Sequence, residues 1–285
     1  MTTAAYPGAP APRPTAEFPI VQRAATRVFR RIGRGTVDVF RQIGARTYFT
    51  RDIGRALADP ATYLPLTVRQ MRAIGVDSVP LAGIVAAFIG AVIAIQTRYQ
   101  LFQGVQLSLV GLATRQTIIL ELGPLLTGLV LTGRVGARMT AEIGTMRVTE
   151  QVDALETLAY DPIAYLVVPR LLAALVMLPV LVILADAIGV VSGFLMAVLA
   201  AGVPKHDFLD GLRLAFGNFQ IVYSLLKAVL FGGAIALVCT YEGYITEAGA
   251  EGVGRSTGRA VVLTSVAILV LDALTALLLA KKLQG

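Results

Sequence analysis

Residues 121–162 read ELGPLLTGLVLTGRVGARMTAEIGTMRVTEQVDALETLAYDP and join a membrane-type apolar segment to a densely charged one without a break. After the carboxylate of Glu121, the chain is apolar or small as far as Gly133. Charged side chains then follow at spacings of three to five residues, at Arg134, Arg138, Glu142, Arg147, Glu150, Asp153 and Glu156. The pattern predicts a membrane-spanning helix that runs on into an amphipathic helix outside the bilayer, where a soluble partner could bind it.

The rest of the chain is also apolar in long blocks. Of its 285 residues, 56% are hydrophobic and only 15% are charged, which is too apolar for an ordinary soluble domain. A helix needs about 20 apolar residues to cross a hydrocarbon core of about 30 Å. Five blocks approach or exceed that length, which predicts an all-α polytopic membrane protein with five transmembrane helices, at residues 78–97, 116–133, about 171–202, about 221–240 and 260–280.

Basic residues concentrate before the first of these spans. Twelve of the 25 lysines and arginines lie between Arg13 and Arg72, which predicts a cytoplasmic N-terminus and, with five spans, a C-terminus on the other side. We expect a disordered tail at 1–20, an N-terminal interfacial amphipathic helix within 21–76, and the membrane domain at 77–285. Nucleic-acid binding is the competing interpretation of the arginines, but an anionic membrane surface explains them equally well.

Several kinds of site are not expected in this chain. It contains no phosphate-binding loop pattern, so any ATP must be bound by a separate protein. The glycine-rich segment 252–258 follows no predicted strand, and we interpret it as a flexible turn. With one histidine, His206, and one cysteine, Cys239, neither a metal site nor a cofactor is predicted.

Residues 121–162 also resemble a known family. The residues that carry the resemblance are 121–124 (ELGP), 133–137 (GRVGA), 141–151 (AEIGTMRVTEQ), 153–156 (DALE) and 161–162 (DP). They resemble the MlaE/YrbE family, the permease subunits of ABC transporters that move lipids with MCE proteins in double-membraned bacteria. Weaker agreement extends from about Ile74 to the C-terminus, and the first seventy residues show no signature. The resemblance implies an inner-membrane homodimer, a separate ATPase that binds ATP and Mg, a periplasmic MCE-domain partner and a phospholipid or similar substrate.

The resemblance also implies roles for particular residues. The helix at about 142–158 would be the coupling helix that docks into the ATPase, through Glu142, Gly144, Met146, Arg147, Glu150 and Asp153. Its apolar side, which includes Val152 and Leu158, should then be covered. An ordinary solvated helix with pairs such as Arg147–Glu150 is the alternative. Glu121, with Leu120 and Pro124 beside it, would line the lipid pocket. Some members have a basic residue where this chain has Leu120, and the alternative for Glu121 is a hydrogen bond to a neighbouring helix.

Four spans each carry one ionisable group at a similar depth. Counted from the nearest cytoplasmic marker, Glu121, Asp186, Lys227 and Asp272 lie 13, 16, 14 and 13 residues away, about 20–24 Å along a helix. An unpaired lysine at that depth would be costly. We therefore predict that Lys227 pairs with Asp186 or Asp272, the alternative being that Lys227 extends outward to the headgroups.

Two other functions remain open from the residues alone. One is a membrane scaffold in which the segment at 142–158 only anchors a soluble protein. The other is an ion-coupled carrier that uses Glu121, Asp186 and Asp272 as ion sites. Such carriers are commonly built from two repeated halves, and this chain shows no such repeat. The sequence therefore favours a transporter permease without covalent chemistry.

Overall fold

The computed structural model describes residues 44, 46–58, 60–102, 104–247 and 249–283 of this chain. The chain divides into two compact units, 1–48 and 49–285. The described residues of the first unit, 44 and 46–48, are helical. The predicted tail at 1–20, and residues 21–43 of the predicted interfacial region, lie outside the described residues.

Helices make up the second unit, and no strand occurs in the part of the chain that the structure describes. The helices are α1 (49–56), α2 (Pro60–Ile74), α3 (Val79–Gln100), α4 (Ser108–Thr117), α5 (Gly123–Leu131), α6 (Ala137–Val148), α7 (Gln151–Thr157), α8 (Val168–Leu199), α9 (Lys205–Arg213), α10 (Asn218–Tyr244) and α11 (Ala250–Leu283). Three π-helical segments interrupt the longer helices, at Ile118–Leu122, Thr132–Gly136 and Ile163–Val167. The predicted all-α fold is confirmed for these residues.

Among the residues that the structure describes, five helical segments are long and apolar enough to span a membrane, in agreement with the predicted number of spans. They are Thr62–Gln100, Ser108–Val148, Ile163–Leu199, Asn218–Tyr244 and Ala250–Leu279. The spans are longer than the apolar blocks because the helices continue into polar sequence. The predicted flexible turn at 252–258 is wrong, since α11 begins at Ala250 and runs through it. Arg255 and Glu251, which are one helical turn apart, form an ion pair at 2.9 Å that stabilises this polar first part of α11.

The third span is central to the packing of the helices. Helix α8 packs against α2, α3 and α10. Gly189 and Gly193 let α3 approach closely: a Cβ at Gly90 would overlap the backbone of Gly189, and a Cβ at Gly193 would lie 3.0 Å from the Gly90 carbonyl oxygen. The small residues of α8 therefore serve packing within the chain.

A buried arginine fixes the connection between the third and fourth spans. Arg115 of α4 is 3% exposed and donates to the carbonyl oxygens of Leu212, Leu214 and Ala215, at 2.6, 3.1 and 3.3 Å. These carbonyls lie at and just beyond the end of α9, where the helix leaves acceptors without internal partners. Arg115 therefore holds α9 against the start of the second span.

Candidate functional site

A lysine in the fourth span is enclosed by polar partners. Lys227 of α10 is fully buried, and its Nζ lies 2.7 Å from Glu121 Oε2 and 2.6 Å from Asp272 Oδ1. It also donates to the carbonyl oxygen of Leu120 at 3.1 Å. The ammonium therefore makes two hydrogen bonds, to Glu121 and to the Leu120 carbonyl, and a second ion pair, to Asp272. The ring of Tyr223 lies 5.0 Å from Nζ and adds a cation–π contact.

The carbonyl of Leu120 is available because of the sequence that follows it. In a regular α-helix this carbonyl would accept from the backbone N–H four residues later, but that residue is Pro124, which has none. The chain is also π-helical here, and the N–H of Gly123 donates to the carbonyl oxygen of Ile118, five residues back. The sequence Glu-Leu-Gly-Pro thus removes the usual α-helical donor from a carbonyl beside a carboxylate, and Lys227 donates to both.

The members of this cluster differ in how far they reach the surface. The side chain of Glu121 is 43% exposed, that of Asp272 is 11% exposed and that of Lys227 is 0% exposed. One ammonium is therefore set against two carboxylates, and a carboxylate forms the outer part of the cluster. Glu121 is the member of the cluster that is most accessible from outside the chain.

The structure decides between the partners predicted for Lys227. It brings Lys227 and Asp272 together, whereas Asp186 instead accepts a hydrogen bond from Ser224 Oγ at 3.1 Å. The alternative in which Lys227 extends outward is wrong, because the residue is fully buried. Glu121 was predicted as a lipid contact, with a hydrogen bond to a neighbouring helix as the alternative; the structure shows such a bond, since Glu121 is the second acid of Lys227. The contact of Lys227 with the carbonyl of Leu120 was not predicted, and Pro124 was the signal that could have revealed it.

A second candidate site lies where the second span leaves the membrane. The single helix predicted at about 142–158 is wrong, because α6 ends at Val148 and α7 begins at Gln151. Between them Glu150 adopts a left-handed conformation with φ of 60°. We call residues 147–153 the α6–α7 corner. Arg147 closes it through an ion pair with Asp153 at 2.6 Å, rather than with Glu150.

Much of the apolar side expected to need a partner is covered by this chain itself. Val152 is fully buried, and Met146 and Leu155 pack against the same cluster. The other buried members of this cluster come from α1, from the start of the third span and from α10: Phe49, Ile53, Ala56, Ala164, Leu166, Val167, Val168 and Tyr241. Leu158, which is 68% exposed, and Tyr160 remain at the surface. The most exposed apolar side chains left for a partner therefore lie just beyond the end of α7.

Some of the residues assigned to docking are buried or paired within the chain, and others are exposed. Gly144 is buried, and a Cβ there would lie 2.9 Å from Thr246 Oγ1, so its backbone contacts the segment that follows α10 instead of the surface. Glu142 faces two arginines, at 2.7 Å from Arg138 and 3.1 Å from Arg170. Glu150 and Asp153 are exposed, and Arg147 is partly so. The exposed part of the predicted docking surface is thus the α6–α7 corner together with Glu142, whose side chain is as exposed as that of Arg147.

Comparison with known proteins points to one family. A family model described as "Permease MlaE" matches residues 67–278. The chain is 38% identical to a Rickettsia felis protein named "Probable ABC transporter permease protein", over 84% of this chain and 92% of that protein. It is 33% identical to the Haemophilus influenzae "Intermembrane phospholipid transport system permease protein MlaE", over 85% and 93% of the two chains. It is also 33% identical to the Arabidopsis thaliana chloroplast protein TRIGALACTOSYLDIACYLGLYCEROL 1, over 72% and 59%.

Proposed function

The chain belongs to the MlaE permease family, and on that premise we propose that it moves phospholipids or similar lipids between the inner membrane and a periplasmic MCE protein. The observation that carries this proposal is the cluster around Lys227. Its half-exposed Glu121 offers a polar contact within the membrane, where ionisable groups usually serve a function. The family and the name of the Haemophilus influenzae relative supply the substrate class.

The energy for transport would come from a separate ABC ATPase chain. We propose a homodimer of the permease with two ATPase copies, which bind the ATP and Mg. The exposed charges of the α6–α7 corner support docking at this position, because they lie at the end of a continuous helical segment from the membrane. The covered apolar side reduces the area available, so ion pairs would contribute much of the specificity.

The structure weakens the carrier alternative. Two of the three acids that would bind a coupling ion, Glu121 and Asp272, already hold the ammonium of Lys227. A cation would have to displace a buried lysine, at the cost of leaving that charge without a partner. A lipid-transfer assay distinguishes a permease from a scaffold. A chain that binds the ATPase but moves no lipid would support the scaffold alternative.

The orientation in the inner membrane gives a first prediction. If the N-terminus is cytoplasmic and the chain crosses five times, cysteines introduced at Thr26 and Gln284 in a Cys239→Ser background should react with an impermeant thiol reagent from opposite sides. Intact cells and inverted vesicles supply the two sides. Reaction of both cysteines from one side would contradict the five-span orientation.

Lipid contact at Glu121 gives a second prediction. Glu121→Lys should lower lipid transfer between vesicles at least about tenfold, because it sets a second ammonium beside Lys227 and removes one of its acids. Glu121→Gln should be milder, since the amide oxygen still accepts a hydrogen bond.

The matched control for this prediction is Glu251→Lys, the same change on a residue that is 90% exposed and bonds only locally to Arg255. It should transfer lipid at the wild-type rate in the same assay, with the ATPase and ATP present. Full transfer by Glu121→Lys would show that the cluster has a structural role only.

A further inference from the structure

Asp186 is a partly buried acid that the cluster around Lys227 does not use directly. It lies in the middle of α8, and its Oδ2 accepts a hydrogen bond from Ser224 Oγ on α10 at 3.1 Å. Its other oxygen, Oδ1, is buried and has no hydrogen-bond donor among the described residues. A polar group in such a position usually has a reason to be there, because burying it is costly.

The second oxygen of Asp186 is seated against the second span. A Cβ built on Gly123 would overlap Oδ1, so the absence of a side chain at this position makes room for the carboxyl group. Gly123 follows directly after the π-helical segment Ile118–Leu122. Asp186 therefore contacts the second span through Gly123 and the fourth span through Ser224, while it belongs to the third.

Both of these contacts lie next to residues that hold Lys227. Ser224 precedes Lys227 by three residues and shares its face of α10, since residues three apart are neighbours on a helix. Gly123 follows Leu120 and Glu121 on one continuous helical segment. The Asp186 bridge thus joins the two pieces of chain whose separation sets the bonds of the lysine.

We propose that Asp186 is a positioning residue: its bridge from Ser224 to Gly123 holds the second and fourth spans at the separation that encloses Lys227 between Glu121 and Asp272. The role requires a hydrogen-bond acceptor of the right size and not a charge, because Ser224 donates equally to an amide oxygen. The inference rests on the proposed function only in its consequence for transport, and its geometry can be measured separately.

The direct measurement is the reactivity of Lys227 toward formaldehyde and a borane reductant. The chain has only four lysines, at 205, 227, 281 and 282, so mass spectrometry can follow each one. Lys205 is exposed and serves as the internal reference. In the wild-type chain, Lys227 should react at least about tenfold more slowly than Lys205, because it is enclosed and reacts only when the site opens.

Four variants then test the bridge. Ser224→Ala and Asp186→Leu should each raise the reaction rate of Lys227 by about fivefold to tenfold, the usual effect of one buried hydrogen bond. Asp186→Asn should keep the wild-type rate. Ser192→Ala is the matched control, because it also removes a hydroxyl that bonds one span to another, Ser192 Oγ to the carbonyl of Ala87 at 2.6 Å, away from Lys227.

The outcomes separate this inference from the proposed function. A wild-type rate in Ser224→Ala, equal acceleration by Asp186→Asn and Asp186→Leu, or equal acceleration by Ser192→Ala would each overturn the positioning role. Lipid transfer should fall in Ser224→Ala and Asp186→Leu, the variants in which Lys227 reacts faster. It should stay at the wild-type rate in Asp186→Asn. A wild-type complex that transfers no lipid would instead refute the proposed function and leave the labelling result valid.

Discussion

Replacing Lys227 by leucine is expected to abolish lipid transfer and to lower the amount of the chain in the membrane. The change leaves Glu121 and Asp272, which lie 2.7 and 2.6 Å from the ammonium, without their shared counter-charge. Removing one partner of a buried ion pair typically costs about 3–5 kcal/mol. The loss should appear as a lower level in isolated membranes and as a lower unfolding temperature of the purified chain.

A second substitution should repair part of this loss in a selective way. Lys227→Leu combined with Asp272→Leu should recover membrane levels, because the acid that is only 11% exposed is gone and the remaining Glu121 is 43% exposed to its surroundings. Lys227→Leu combined with Asp186→Leu should not recover, since Asp186 bonds Ser224 and not the lysine. Equal levels in the two double variants would contradict the pairing of Lys227 with Asp272.

Depth along the helices could be predicted from the sequence, but the rotation of each helix could not. Counting residues places Glu121, Asp186, Lys227 and Asp272 at one height. Which of them meet depends on neighbours: α10 packs against α11, which carries Asp272, and against the π-helical segment that carries Glu121. Asp186 is also on a helix packed against α10, yet its face meets Ser224. The depth of a residue along its helix therefore does not show whether its side chain faces Lys227 or Ser224.

The five spans were predictable because each is an apolar block of sufficient length. The helix break at Glu150 was not, since glutamate has no preference for a left-handed conformation. Burial of Val152 and the ion pair between Arg147 and Asp153 fix this corner, and both depend on tertiary contacts.

The glycines at 252–258 led to the opposite error, because they predicted a turn where the structure has a helix. Each costs about 1 kcal/mol in a helix, but α11 packs along α6 and α10, which offsets that cost.

The corner and the lysine cluster lie on helices that are packed tightly together. Helix α6 leads to the corner, and α10 carries Lys227. Thr140 Oγ1 of α6 donates to the carbonyl of Cys239 in α10 at 2.9 Å. A Cβ on Gly243 would lie 2.9 Å from the Thr140 carbonyl oxygen, so the two backbones are close. If the proposed ATPase docks at the corner, a movement of the corner would be passed through this contact to α10 and so to the cluster.

Reversing a charge at this corner should uncouple transport from the ATPase while the permease stays folded. Arg147 is partly exposed, and exposed ion pairs such as its contact with Asp153 contribute at most about 1 kcal/mol to stability. Against a docked partner, a reversed charge costs several kcal/mol. We therefore expect Arg147→Glu, and likewise Glu150→Lys, to reach the membrane at wild-type levels but to lose about tenfold or more in ATPase binding and in lipid transfer.

The matched control is Arg255→Glu, which reverses the charge of an arginine at the start of α11 that is 59% exposed and pairs with Glu251. It makes the same change in net charge outside the corner, so a general electrostatic effect would weaken both variants equally. Binding is measured by co-purification of the ATPase at two salt concentrations, because ion pairs at a docking surface weaken with salt. Wild-type co-purification and transfer in both Arg147→Glu and Glu150→Lys would exclude docking through the corner and leave the ATPase to bind elsewhere on the chain.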